Sequence, residues 1–331
     1  MKKILITGAN GFIGSHLVEE ALNRNYEVHA AVRKSSDLSH LPLEKIQLVY
    51  PDLSDKNKLK DFFNEKGPYD YVVHNAGVTK TCKKEVFDRV NFDYTKNLIE
   101  ALKETGKIPS KYIQISSLAA YGPGDPETLK PVKDSDEPQP ISLYGESKLK
   151  TEKYIKSLEN FPYLIFRPTG VYGPREQDFY VMFKSIKKGL ETYIGTKKQH
   201  ISLIYVKDLS RVLIDALESP VVNKSYFASD LNTYTAEEFN HHIKKALNVK
   251  TLSLVFPPVL VKTLALINEK ISCGLFNKIP TLNTEKFKEI SQKNWLCDSS
   301  GLVKDFNFTP RYTLEEGIAE TLKWYKQHKL L

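Results

Sequence analysis

A chain of 331 residues is long enough for one large α/β domain with a smaller one attached. Hydrophobic residues at 41% and charged residues at 27% are ordinary for a soluble globular protein. The formal charge of +8 is spread over scattered lysines and short clusters such as Lys83-Lys84, Lys187-Lys188 and Lys197-Lys198, which argues for solvated faces and against nucleic-acid binding.

Cys82, Cys273 and Cys297 are far apart and odd in number, so neither a disulfide framework nor a zinc site is expected, and a reducing cytosol fits them. Two lysines and three apolar residues precede Gly8, leaving no signal-peptide core. The most apolar stretch, Leu252 to Ile267, holds Pro257-Pro258 and Lys262 and is too interrupted to span a bilayer.

The chain opens on Ile4-Leu5-Ile6, a run suited to a buried parallel strand, and the run stops at Gly8. Glycines follow at 11 and 14, and Phe12, Ile13, Leu17, Val18, Ala21 and Leu22 recur at helical spacing. Gly8 permits the tight turn, Gly11 lets backbone approach a pyrophosphate, and Gly14 lets helix and strand pack closely. The helix N-terminus then offers N–H groups to phosphates, so strand, turn and helix together predict a dinucleotide site.

Further strands are predicted over Glu27–Val32, Ile46–Tyr50, Tyr71–Val73, Tyr112–Ile115 and Tyr163–Phe166. Helices are expected over Asp55–Glu65, Glu85–Glu104 and Ser142–Leu158, with an aperiodic loop from Gly122 to Pro140. This alternation means a parallel sheet covered on both faces. Beyond Pro168 the pattern loosens into helices at Phe179–Lys188, Lys207–Leu217, Thr235–Leu247 and Pro258–Ile271. Short strand-like pieces, Ser202–Val206 and Ser225–Ala228, separate them. Thr313 and Glu316 form a capping box for a last helix bearing Leu314, Ile318, Leu322 and Tyr325 on one face.

Tyr144 and Lys148 stand four apart on one helix face. An ammonium there is expected to draw the phenol pKa down toward working pH, making Tyr144 a general acid/base. Ser117 follows the fifth strand, at the sheet end where open α/β folds bind ligands.

The chain resembles an extended short-chain dehydrogenase/reductase of the NAD-dependent epimerase/dehydratase superfamily over essentially its whole length. The matching pieces run from Thr7-Gly8-Ala9-Asn10-Gly11-Phe12-Ile13-Gly14 through Asp52-Leu53, His74-Asn75-Ala76-Gly77 and Asn91 to Ser116-Ser117 and Tyr121-Gly122. They continue in Tyr144-Gly145-Glu146-Ser147-Lys148, Arg167-Pro168 to Pro174, and Tyr205-Val206-Lys207-Asp208-Leu209. The resemblance implies a Rossmann-type doubly wound parallel sheet in residues 1–167, rejoined by the chain near 200–228. A smaller, mainly helical substrate domain is implied over 168–331.

It implies catalysis by Ser117, Tyr144 and Lys148, with Ser117 chosen over Ser116 by its distance from Tyr121-Gly122. Asn10, Phe12 and Ile13 join the glycine turn, Asp52 and Leu53 take the adenine end, and Ala76 and Gly77 pass the pyrophosphate. Asn91 and Ser116 complete the cofactor site, Lys148 holds the nicotinamide ribose, and backbone near Pro168 and Val171 holds the carboxamide. Tyr172, Arg175 and Asp178 stand where the family places substrate contacts. The family often dimerises through the helices beginning near Glu85 and Ser142.

The second strand ends at Val32-Arg33 rather than at an acidic residue, which favours the 2′-phosphate of NADP(H) over NAD(H), although Asp37 is near. Leu118 and Ala119 replace the acidic pair of sugar-nucleotide 4,6-dehydratases. A carbonyl reductase and a nucleotide-sugar 4-epimerase both remain, with a non-catalytic sensor a third reading. The Val32-Arg33 pair resembles the dihydroflavonol reductase and hydroxysteroid dehydrogenase branch. Val259, Leu260, Leu264, Ile267 and Ile271 share one helical face, expected as core, with a pocket roof or a membrane contact as alternatives.

Overall fold

The computed structural model of the chain describes residues 1–276 and 278–331. In chain order it runs β1 (Lys3–Thr7), α1 (Phe12–Asn23), β2 (Glu27–Ala31), β3 (Gln47–Val49), α2 (Lys56–Lys66) and β4 (Tyr71–His74). Next come α3 (Glu85–Asp88), α4 (Tyr94–Glu104), β5 (Lys111–Ile115), α5 (Leu143–Lys156), β6 (Tyr163–Pro168) and β7 (Gly170–Tyr172). Then follow α6 (Asp178–Lys187), β8 (Leu190–Ile194), β9 (His200–Ile201), β10 (Leu203–Tyr205), α7 (Val206–Glu218) and β11 (Lys224–Ala228). The chain closes with β12 (Tyr234–Thr235), α8 (Ala236–Leu247), β13 (Leu252–Phe256), α9 (Pro258–Leu275), α10 (Thr284–Ile290), β14 (Asn294–Trp295), α11 (Ser300–Phe306) and α12 (Leu314–Gln327).

Seven strands form one parallel sheet in the order β3-β2-β1-β4-β5-β6-β11. Side chains alternate across it, as a strand's twofold period demands. Ile4 and Ile6 of β1 enter one core with Leu17 and Val18 of α1 and Leu209 and Val212 of α7. Leu5 enters the opposite core with Leu59 and Phe63 of α2, Leu98 and Leu102 of α4, and Ile155 of α5. A strand sandwiched in this way must be apolar throughout, which is why Ile4-Leu5-Ile6 reads as it does. Strand order reverses between β1 and β4, so the crevice for a ligand opens at their carboxyl ends.

A third core lies among the later elements, where Phe183 of α6 and Phe239 of α8 pack with Leu314, Ile318, Leu322 and Tyr325 of α12. The Thr313–Glu316 capping box that starts α12 is formed reciprocally.

The helix expected over Glu85–Glu104 is present and passes through a π-helical turn at Arg89–Asp93 that carries Asn91. Two expectations are corrected here. Cys82 and Cys273, 191 residues apart in sequence, have Cα atoms 5.6 Å apart and form a disulfide, while Cys297 is free and buried. Sequence distance had concealed that proximity. The α9 stripe expected as core is exposed, because among the described residues of that helix only Val261 and Ala265 turn fully inward. Among the described residues no helix is long and apolar enough to cross a membrane.

Candidate active site

At the end of β1 the chain turns at Gly8, whose φ of +63° suits glycine. A Cβ there would lie 2.9 Å from the Ala76 Cα, so the turns after β1 and β4 touch. At Gly14 a Cβ would lie 2.1 Å from the Gly8 carbonyl oxygen, so no larger residue lets α1 seat this closely. Gly11 is the N-cap of α1, with no side-chain cap and no acidic residue in the first turn. The free N–H groups beside Asn10, Phe12 and Ile13 and the positive helix end therefore fit a phosphate.

Hydroxyl and imidazole groups lock the neighbouring strand end. Thr7 Oγ1 accepts from the N–H groups of Asn75 and Ala76, each at 3.1 Å, and lies 2.8 Å from His74 Nδ1. The other ring nitrogen of His74 is 3.0 Å from Thr95 Oγ1, and burial pushes its pKa down to about 3, so the ring is neutral. Asn91 accepts from the Val78 N–H at 2.8 Å and donates to Ser147 Oγ at 2.9 Å. A Cβ at Gly77 would strike Asn91 Oδ1 at 2.9 Å, which keeps that passage open only for glycine.

On the other flank Val32 is buried and Arg33 is exposed, and among the described residues the guanidinium forms no ion pair or hydrogen bond. Asp37 turns to the Ser39 N–H at 2.9 Å. Asp52 is held by Ser54 and by Lys58 at 3.0 Å, and the Leu53 carbonyl accepts from Asn97 at 3.1 Å.

The reactive hydroxyls are set by close packing of α5. Ser142 caps that helix, accepting from the Gly145 N–H at 3.1 Å. A Cβ at Gly145 would lie 2.2 Å from the Ala119 carbonyl oxygen, so the helix rests on the turn after β5. That turn begins at Ser117, whose Oγ accepts from the Ala119 N–H at 3.1 Å and whose hydroxyl neighbours Tyr144. One turn along α5, Lys148 is buried, donates to the Ile115 carbonyl at 2.9 Å, and holds its Nζ 5.8 Å from the Tyr144 ring centre.

Burial lowers the Lys148 pKa to about 8. Burial raises that of Tyr144, opposed by the neighbouring Ser117 hydroxyl. The expected lowering by Lys148 is thus corrected: the ammonium is committed to the Ile115 carbonyl, and desolvation prevails. A phenol that keeps its proton at neutral pH is an acid ready to give it to a carbonyl oxygen.

Beneath this row lies a charge pair that motif reading passes over. Glu152 on α5 takes two hydrogen bonds from Arg167 Nε, both at 3.0 Å, and one from Nη2 at 2.7 Å. Both side chains are buried; Ser116 donates to the same carboxylate, and Asp134 meets the far side of the guanidinium. The pair bolts α5 to β6, and Pro168 ends that strand beside β5. From above, Glu285 of α10 accepts the Leu143 N–H at 2.6 Å and Glu289 accepts from Ser142 Oγ at 2.7 Å.

The three residues expected as substrate contacts lie in different surroundings. Tyr172 is 1% exposed, tilted against Tyr205 and edge-on to Phe239 in the third core. Arg175 pairs with Glu19 of α1, outside the Tyr144 group. Asp178 begins α6 between Lys80 and Lys286, the latter at 3.7 Å, and so links the loop after Gly77 to α10. Val171 sits on β7, half-buried against the third core.

The sequence model of the NAD dependent epimerase/dehydratase family matches residues 4–228. The chain belongs to this family. Within it, the chain is 27% identical to UDP-N-acetyl-alpha-D-glucosaminuronate decarboxylase of Bacillus cytotoxicus, over 98% of each. It is 24% identical to the ceramide reductase of Caulobacter vibrioides, over 98% of this chain and 94% of the relative. Among solved structures, UDP-glucose 4-epimerase of Thermotoga maritima superposes with a TM-score of 0.81 at 20% identity, over 99% of each chain, a likeness of fold. The family thus spans sugar-nucleotide and reductase chemistry.

Proposed function

We propose that the protein is an NADP(H)-dependent oxidoreductase that moves a hydride between the nicotinamide and a carbinol or carbonyl carbon of a small organic substrate. The observation that carries this reading is the grouping of a protonated Tyr144 with the neighbouring Ser117 and with Lys148 one turn away along α5. Residues 1–167, with the return of the chain near 200–228, form the nucleotide half, and the remainder of 168–331 forms a partly discontinuous substrate half. The first-turn N–H groups of α1 and the backbone at Ala76 and Gly77 would hold the pyrophosphate, Asp52 and Leu53 the adenine end, and Lys148 the nicotinamide ribose. Pro168, Val171, Asn91 and Ser116 line the nicotinamide end. When bound, the cofactor supplies the hydride.

The chain's own part is proton and position. Ser117 fixes the substrate oxygen, and Tyr144 gives it a proton in reduction or takes one in oxidation. The name of the Caulobacter relative points the same way. A second reading, a nucleotide-sugar 4-epimerase with retained NAD, is favoured by the relatives that act on sugar nucleotides.

The exposed, unpaired Arg33 supports NADP(H). A charge-assisted hydrogen bond to the 2′-phosphate contributes about 1.5–3 kcal/mol, or roughly 10- to 150-fold in affinity. Arg33→Ala is expected to weaken NADPH by that factor and to leave NADH nearly untouched, as read by calorimetry. A wild-type preference for NADH would refute the assignment.

A further inference from the structure

Helix α9 carries apolar side chains where a helix of a free-standing protein carries polar ones. Val259, Leu260, Leu264, Leu266, Ile267 and Ile271 are all exposed, Val259 to 76%, Leu264 to 52% and Ile267 to 50%. Among the described residues the inward seam is narrow, made of Val261 and Ala265, and the side chains named above are left uncovered. Val255 before the helix and Phe276 after it are exposed as well. Monomeric proteins rarely leave a large exposed apolar face without a use.

Charge decides what covers it. The helix has two lysines, Lys262 and Lys270, both exposed beside the apolar stripe. Its one carboxylate, Glu269, is spent inward, accepting from the Thr284 N–H at 2.9 Å and from Thr284 Oγ1 at 2.6 Å. A second copy meeting this face about a twofold axis would set lysine against lysine, with no free carboxylate on the helix between them. An anionic bilayer supplies what is lacking, an apolar layer beneath a negative one. Lysine stems lie along the apolar zone while their ammonium groups reach the headgroups.

We propose that α9 is a docking surface for the anionic face of a lipid bilayer. The surface adjoins the candidate site, because Cys273 of α9 is bonded to Cys82 in the loop that follows Gly77. The proposal stands apart from the oxidoreductase reading, since it concerns binding and not turnover.

The test is flotation of the purified full-length protein with vesicles of phosphatidylcholine containing phosphatidylglycerol, against vesicles of phosphatidylcholine alone. Wild type is expected to float with the mixed vesicles and to bind the neutral ones about tenfold or more weakly. Lys262→Glu with Lys270→Glu should weaken binding to the mixed vesicles by about 30-fold or more, at about fivefold for each lysine lost. Leu264→Asp with Ile267→Asp should abolish it. All four positions are exposed, so circular dichroism should be unchanged in both variants. Equal binding to both kinds of vesicle would overturn the proposal. So would no binding to either, or a concentration-dependent dimer that Leu264→Asp with Ile267→Asp dissolves while vesicles leave it intact.

Discussion

Tyr144→Phe is expected to lower turnover by about two to four orders of magnitude, the usual worth of a positioned proton donor. Burial keeps the proton on this hydroxyl, and it stands beside Ser117. Removing it should leave NADPH affinity nearly unchanged, because the phenol is not among the groups read as holding the dinucleotide. Lys148→Ala should damage both turnover and affinity, since that ammonium serves the ribose and the tyrosine face together. Steady-state rates and calorimetry on the two variants separate the roles. Near-normal turnover in the phenylalanine variant would remove Tyr144 from the mechanism.

Glu152→Ala should have the largest effect on stability. It strips the buried Arg167 of three hydrogen bonds and leaves Ser116 without its acceptor. Breaking one partner of a buried ion pair costs about 3–5 kcal/mol, because the remaining charge stays desolvated. Here Asp134 keeps part of the guanidinium satisfied, which places the expected loss toward the lower end of that range. Urea unfolding should show the loss, and adding Arg167→Met should recover much of it, since two apolar side chains ask for no solvation. A loss below about 1 kcal/mol for Glu152→Ala, the scale of an exposed pair, would show that the pair does not hold α5 to β6.

The legible part of this chain lay where backbone geometry dictates residue type. Gly8 is required by its positive φ and Gly14 by a helix seated against a carbonyl oxygen, so both announce themselves in the sequence. The doubly covered sheet followed from Ile4-Leu5-Ile6 and its successors, and α12 from its capping box. What stayed hidden depends on distance through space. The partner of Arg167 is fifteen residues back on another element, and Cys273 finds Cys82 across 191 residues. No local pattern encodes either pairing.

Tyr172 is a different case. Its motif position suggests substrate, and burial against Tyr205 and Phe239 adds a packing role that the motif does not announce. Helix α9 misled for a simpler reason: periodicity reports that an apolar face exists, and only the packed structure reports that this face is exposed. The Tyr144 pKa belongs with these, because spacing set Lys148 beside the ring, yet the Ile115 carbonyl claims its proton-bearing end.

A reductase must exchange oxidised for reduced cofactor at each turnover, whereas an epimerase gains by never releasing it. The most direct measurement is therefore to denature the purified protein, assay the supernatant for nicotinamide nucleotide, and follow NADPH absorbance with a panel of ketones and aldehydes. The account predicts little retained nucleotide, reversible micromolar binding of NADPH, and net oxidation that matches carbonyl consumed. Close to stoichiometric NAD in the supernatant, with no net redox change during turnover, would contradict it in favour of the epimerase.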